Sequence, residues 1–125
     1  MKVMRILLVD DDSFLRDMYA TKFVESNHEV EAAENGTVAL QLLKEKSFDV
    51  VLLDMVMPGM TGIEFLEKVK NEDYSKKTRF VVLSNQGEES DKAKATDAGA
   101  EGYIIKAELI PSEVVKKVDE KCWKT

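Results

Sequence analysis

In Asp49-Val50-Val51-Leu52-Leu53-Asp54-Met55-Val56-Met57-Pro58-Gly59-Met60-Thr61-Gly62, a short aliphatic run stops at an acid, turns, and gives way to a helix. Val50 to Leu53 is apolar throughout and rich in β-branched residues, the composition of a strand buried on both faces. Asp54 bounds it. Met57-Pro58-Gly59 makes a loop. Thr61-Gly62 opens a helix carrying Ile63, Leu66 and Val69 at helical spacing.

The same succession recurs in both directions along the chain. Upstream, Met4-Arg5-Ile6-Leu7-Leu8-Val9 ends abruptly in Asp10-Asp11-Asp12. Residues 13–26 then carry an apolar stripe of Phe14, Leu15, Met18, Phe23 and Val24, broken at Asn27-His28. Glu29 to Ala33 alternates like a strand with one polar face. Asn35-Gly36 signals a turn, and Val38, Leu40, Leu42 and Leu43 mark a second helix to about Lys46. Downstream, Arg79-Phe80-Val81-Val82-Leu83 ends at Ser84. An Ala- and charge-rich helix follows, closed by Gly99. Gly102-Tyr103-Ile104-Ile105 ends at Lys106. Pro111 suits the first turn of a last helix that carries Val114, Val115 and Val118. Five strands thus alternate with five helices, and no linker, repeat or low-complexity tract interrupts them. The reading is one α/β domain over residues 1–125, a doubly wound parallel sheet with helices on both faces.

Composition narrows the function. A chain of 125 residues suits a single core without disulfides or structural zinc. The sole cysteine, Cys122, cannot form an internal bridge, and the sole histidine, His28, excludes multi-His zinc sites. Neither is assigned a role. No apolar run approaches the roughly 20 residues of a membrane span, and the N-terminus has no signal-peptide pattern. A cytoplasmic protein without membrane contact is expected. The net charge is −6, from 24 acidic and 18 basic side chains. Without a basic stripe, direct nucleic-acid binding is not expected.

The ends of the runs carry the chemistry. Asp10 and Asp11 follow the first, Asp54 closes the third, Ser84 ends the fourth and Lys106 follows the fifth. Parallel strands place their C-termini along one edge, where open α/β sheets bind ligands. These residues should therefore meet in one cleft. Three carboxylates and one ammonium leave two negative charges, which one Mg2+ would match. Asp12 is expected to cap the helix that follows it. Met55, Met57 and Met60 are read as packing.

These residues carry a resemblance over nearly the whole chain. The segments Ile6-Leu7-Leu8-Val9-Asp10-Asp11, Asp49 to Gly62, Val81-Val82-Leu83-Ser84 and Gly99 to Lys106 resemble the receiver domain of bacterial two-component response regulators. The resemblance implies a flavodoxin-like five-stranded sheet of order 2-1-3-4-5. It implies that Asp54 accepts a phosphoryl group from a histidine of a sensor kinase or phosphotransfer protein. Asp11, Asp54 and the Val56 backbone carbonyl would hold Mg2+, with Asp10 acting through water. Lys106 would pair with phosphoryl oxygens and Ser84 would hydrogen-bond to one. Tyr103 would turn inward as Ser84 moves, switching the face of the fourth helix, fifth strand and fifth helix towards a downstream target or output domain. Such a protein is no enzyme beyond its own phosphorylation and dephosphorylation. Whether it stands alone or belongs to a longer regulator stays open.

Four positions near the pocket bear on this resemblance. Ala107 follows Lys106 where the family usually has proline after a cis peptide, and a cis bond before alanine costs several kcal/mol. Asn85 replaces a small residue and would crowd or hydrogen-bond the phosphoryl group. Val56 and Gln86 stand where the family tunes attack by water, and an apolar Val56 implies a long-lived phosphoryl state. Three other readings compete. A haloacid-dehalogenase-like phosphatase would use Asp10 as nucleophile, but its second acidic motif is missing. A flavin module would need a phosphate loop where three Asp stand. A pseudo-receiver would bind partners without being phosphorylated.

Overall fold

The computed structural model describes residues 3–71, 78–85 and 89–123. The elements run β1 (Arg5–Val9), α1 (Ser13–Glu25), β2 (Glu29–Ala33), α2 (Gly36–Glu45), β3 (Val50–Leu53), α3 (Gly62–Asn71), β4 (Arg79–Ser84), α4 (Glu89–Asp97), β5 (Gly102–Ile105) and α5 (Pro111–Trp123). A 3-10 turn, Lys106–Glu108, joins the last two. The strands form one parallel sheet of order β2-β1-β3-β4-β5, as expected.

Alternate residues of each strand feed two cores. Leu7, Val9, Val51, Leu53, Phe80 and Val82 pack with Ala39 and Leu43 of α2, Phe65 and Leu66 of α3, and Ala95 of α4. Ile6, Leu8, Val50, Leu52, Val81 and Leu83 pack with Tyr19 and Phe23 of α1 and Val114, Val115 and Val118 of α5. Cover on both faces is why β3 is buried at all four positions. β2, at the edge, keeps the expected polar character.

Local signals set the boundaries. Asp12 caps α1, accepting from the Leu15 N–H at 3.1 Å. Asn35 proves to be the cap of α2, accepting from Val38 N–H at 2.9 Å, with Gly36 as the first helical residue. The Asn35-Gly36 pair is therefore a helix start and not a separate turn. Thr61 and Glu64 exchange bonds at the head of α3: Thr61 N–H donates to Glu64 Oε1 at 3.0 Å, and Glu64 N–H donates to Thr61 Oγ1 at 3.1 Å. The Thr61 backbone donor is the main reason the Glu64 carboxyl lies below the usual carboxylate range. Gly99, at φ +113°, ends the α4 segment in a conformation that favours glycine.

The stripe read on α1 needs correction. Phe14 is 73% exposed and Val24 is 56% exposed. Adjacent residues on a helix stand about 100° apart, so Leu15 and Phe14 cannot share a face, nor can Phe23 and Val24. Leu15, Met18, Tyr19 and Phe23 form the true inner face. Val38 of α2 is likewise exposed, while Ala39 is buried in its place. Met57 is buried in the first core with Met55 and Met60 against it, as packing. Gln86 lies outside the described residues. Cys122 is in α5, and its side chain lies outside the description. Among the described residues, no helix is long and apolar enough to cross a membrane.

Candidate functional site

The sheet brings the strand-end residues together as the parallel topology requires. Asp10, Asp11, Asp12, Leu15, Asp54, Val56, Ser84, Asn85 and Lys106 line an open cleft of about 370 Å3 at the C-terminal edge. Each acid is placed by extension of a strand ladder. Asp10 N–H donates to the Ala33 carbonyl at 3.1 Å, and Asp54 N–H donates to the Val9 carbonyl at 3.2 Å. Both carboxylates therefore emerge one step past the ends of adjacent central strands.

Lys106 joins them. Its Nζ donates to Asp10 Oδ2 at 2.9 Å and to Asp54 Oδ2 at 3.1 Å. The side chain is only 5% exposed. Burial alone would push the ammonium pKa down. The hydrogen bond donated to Asp10, the charge of Asp54 and the charge of Asp10 outweigh it, so the pKa rises above the ordinary lysine value. Asp54 Oδ1 accepts from the Val56 N–H at 3.3 Å, and Asp10 Oδ1 accepts from the Asp12 N–H at 3.0 Å.

Oxygen atoms of Asp10, Asp11 and Asp54 all lie within 4.8 Å of one another. An all-oxygen, carboxylate-rich set beside an open cleft with room for water fits a small hard divalent cation. Asp10 is buried, whereas Asp11 is exposed. The Asp11 carboxylate has no protein partner among the described residues, so it is available to a ligand.

The remaining predicted residues fall into two groups. Ser84 is buried at the end of β4, on the cleft wall, with exposed Asn85 beside it. Val56 leans over the cleft with its side chain in solvent. Tyr103 does not line the cleft. It is half-buried on β5 and packs against the first core. Ser84 pairs with Ile105 and Val82 with Tyr103, so Ser84 and Tyr103 share one sheet face a single step apart. Ala107 is exposed, in the 3-10 turn, and also outside the cleft. Its peptide with Lys106 is trans, since the described residues contain no cis bond. The turn thus delivers Lys106 inward without the family's proline.

Three residues escaped the sequence reading. Arg16, one turn into α1, donates from Nη1 to the Asp10 carbonyl at 2.8 Å. Tyr19 lies under the site: burial raises its phenol pKa, the Lys106 charge lowers it and Asp10 raises it again. His28 is buried far from the cleft, at the opposite edge of the sheet. Its Nδ1 accepts from the Met4 N–H at 3.1 Å, so Nε2 carries the proton that faces Asp119 Oδ1 at 2.7 Å. This ties β1 to α5. Helical spacing from Leu15 and Phe23 could have placed Tyr19 on the inner face of α1, but only the assembled sheet shows what lies opposite Tyr19 and Arg16.

Comparison with known proteins agrees with this geometry. Residues 6–119 match the family model of the response regulator receiver domain. The transcriptional regulatory protein ResD of Bacillus subtilis is 34% identical over 91% of this chain and 46% of its own length. The phosphate regulon transcriptional regulatory protein PhoB of Escherichia coli is 32% identical over 91% of this chain and 49% of its own. The chain thus spans about half the length of these relatives. The expectation of no nucleic-acid partner finds no support in them, since both are transcriptional regulators by name. Among solved structures, the chemotaxis protein CheY4 of Vibrio cholerae superimposes with a TM-score of 0.89 at 29% identity, over 96% of this chain and 99% of its own. On its sequence match, its sheet order and its strand-end acids, the chain belongs to the response regulator receiver domains.

Proposed function

We propose that this receiver is a cytoplasmic phosphorylation switch in which Asp54 accepts a phosphoryl group from a histidine of a sensor kinase or phosphotransfer protein. The observation that carries the reading is the Lys106 ammonium, held between Asp10 and Asp54 at 2.9 and 3.1 Å beside a three-carboxylate cluster. An Asp54 oxygen forms a bond to phosphorus as the donor's P–N bond breaks, and the leaving imidazole takes up a proton. Lys106 lies in reach to follow the incoming phosphoryl oxygens, and the Val56 N–H steadies the second Asp54 oxygen. Asp11, Asp54 and the Val56 carbonyl would hold Mg2+, with Asp10 bound through water. The ion, when bound, neutralises charge that would otherwise repel the anionic donor.

Asp54 is favoured over Asp10 as the acceptor. Both carboxylates accept at each oxygen, but the Asp10 side chain is only 1% exposed, whereas the Asp54 side chain is 12% exposed at the cleft. That disfavours the phosphatase reading, which needs Asp10 as nucleophile. Once modified, Asp54 offers new acceptors that draw Ser84 inward, and Tyr103, one step along the same face, fills the space released. The face of α4, β5 and α5 thereby shifts population and engages a downstream target or output domain. The chain changes only its own state and is no enzyme in the usual sense. Apolar Val56 cannot orient an attacking water, which favours a long-lived phosphoryl group.

The test is intact-protein mass spectrometry after incubation with Mg2+ and acetyl phosphate. Wild type should gain a labile adduct of about 80 Da and Asp54→Asn should not. An adduct of equal yield on both would overturn the assignment.

A further inference from the structure

Among the described residues, Asp11 is the one acid of the cluster with no protein partner, so its direction depends on the backbone that carries it. That backbone is the Asp10–Asp11 peptide. Its carbonyl oxygen accepts from Arg16 Nη1 at 2.8 Å. The Arg16 N–H is itself fixed in the first turn of α1, donating to the Asp12 carbonyl at 2.9 Å. Helical side chains lean towards the helix N-terminus, so position 16 reaches back to the turn that α1 leaves. The guanidinium thus holds the carbonyl of this peptide, while Asp12 N–H and Lys106 Nζ hold the Asp10 side chain. Arg16 makes no ion pair with any described carboxylate. A cation next to three aspartates would be expected to seek one, yet the guanidinium bonds to a carbonyl.

We propose that Arg16 is a positioning residue for the divalent cation: by clamping the Asp10 carbonyl it aims the Asp11 carboxylate at the shared site. The inference rests on the metal reading of the cluster, and it goes beyond it by giving the site a clamp outside the cleft. Two effects of the same guanidinium then oppose each other. As a clamp it favours cation binding. As a positive charge it disfavours it. The sign of the change on removing Arg16 therefore separates the two.

The experiment is calorimetric titration of the unphosphorylated, full chain with MgCl2, for wild type, Arg16→Met and Arg16→Lys. Arg16→Met keeps the aliphatic stem and loses the donors. It should bind Mg2+ about tenfold more weakly, as when residues that orient metal ligands are removed. Arg16→Lys should recover part of the loss. In metal-free protein, the amide resonances of Asp11 and Asp12 should shift in Arg16→Met while those of β4 and β5 stay in place. Unchanged affinity overturns the proposal and leaves Arg16 a structural tie. Tighter binding also overturns it, because charge alone then accounts for the residue. Should Arg16→Met fold poorly, the amide shifts and affinity of Arg16→Lys decide alone, since unchanged values there overturn the clamp. Loss of the phosphoryl adduct on Asp54 with normal Mg2+ binding would instead be a failure of the functional reading, and leaves this one standing.

Discussion

Lys106 shares one charge between two carboxylates, and its removal leaves Asp10 buried without its cation. Breaking a buried pair by deleting one partner is expensive. Lys106→Met should lose about 3 kcal/mol in metal-free buffer at pH 7, measured by urea unfolding. The pH dependence has a definite sign. The folded pKa of Lys106 lies above the ordinary 10.5, so its contribution is full below that value and disappears as pH rises through the folded pKa. Wild type should therefore lose stability at strongly alkaline pH by more than Lys106→Met does; equal losses would mean that the ion pair contributes nothing. Asp11 behaves in the opposite way. Among the described residues it has no partner, and two like charges lie within 4.8 Å of it. Asp11→Asn should raise stability by about 1 kcal/mol. Mg2+ at ten times its dissociation constant should add about 1.4 kcal/mol to wild type and nothing to Asp11→Asn, read as melting temperatures with and without the ion. A wild type indifferent to Mg2+ would count against the site. At this scale the acids, Ser84 and Lys106 were legible because each ends an apolar run. Arg16 and Tyr19 were not, because their partners come from another element.

At the scale of elements, the approach of α3 to the β3 end places Asp54. Gly62 opens α3, and a Cβ there would sit 2.6 Å from the Asp54 carbonyl oxygen and 2.9 Å from the Met55 Cα. Both are backbone atoms, so the helix or the acceptor loop must move. Gly62→Ala should cost about 1–3 kcal/mol, as overpacking does, and should slow phosphorylation of Asp54 by acetyl phosphate. A variant as stable and as reactive as wild type would show that the approach is not needed. β1, β3 and β4 could be read from sequence because burial on both faces leaves them almost wholly apolar, and β2 because its polar positions alternate as on an edge strand. The inner face of α1 could not, because Phe14-Leu15 and Phe23-Val24 each offer two apolar neighbours and only packing chooses between them. The fit of Lys106 through a trans peptide was equally hidden, since the family's proline sets an expectation that the 3-10 turn replaces.

Over the whole molecule, parallel topology converts sequence distance into proximity. Asp10 and Lys106 lie 96 positions apart and meet at 2.9 Å because β1 and β5 end at the same edge of one sheet. The order β2-β1-β3-β4-β5 places β3, which Asp54 follows, at its centre, flanked by the acidic turn after β1 and the hydroxyl that ends β4. In the proposed switch, one covalent event at this edge is passed to the α4, β5 and α5 face through Ser84 and Tyr103, which lie a single step apart on one sheet face. The account stands or falls on the carboxyl at position 54. Borohydride reduces an acyl phosphate to an alcohol, converting the parent aspartate to homoserine. Peptide mapping after treatment with acetyl phosphate, Mg2+ and borohydride should find homoserine at position 54 and nowhere else. Homoserine at position 10 or 11, or at none, would contradict it.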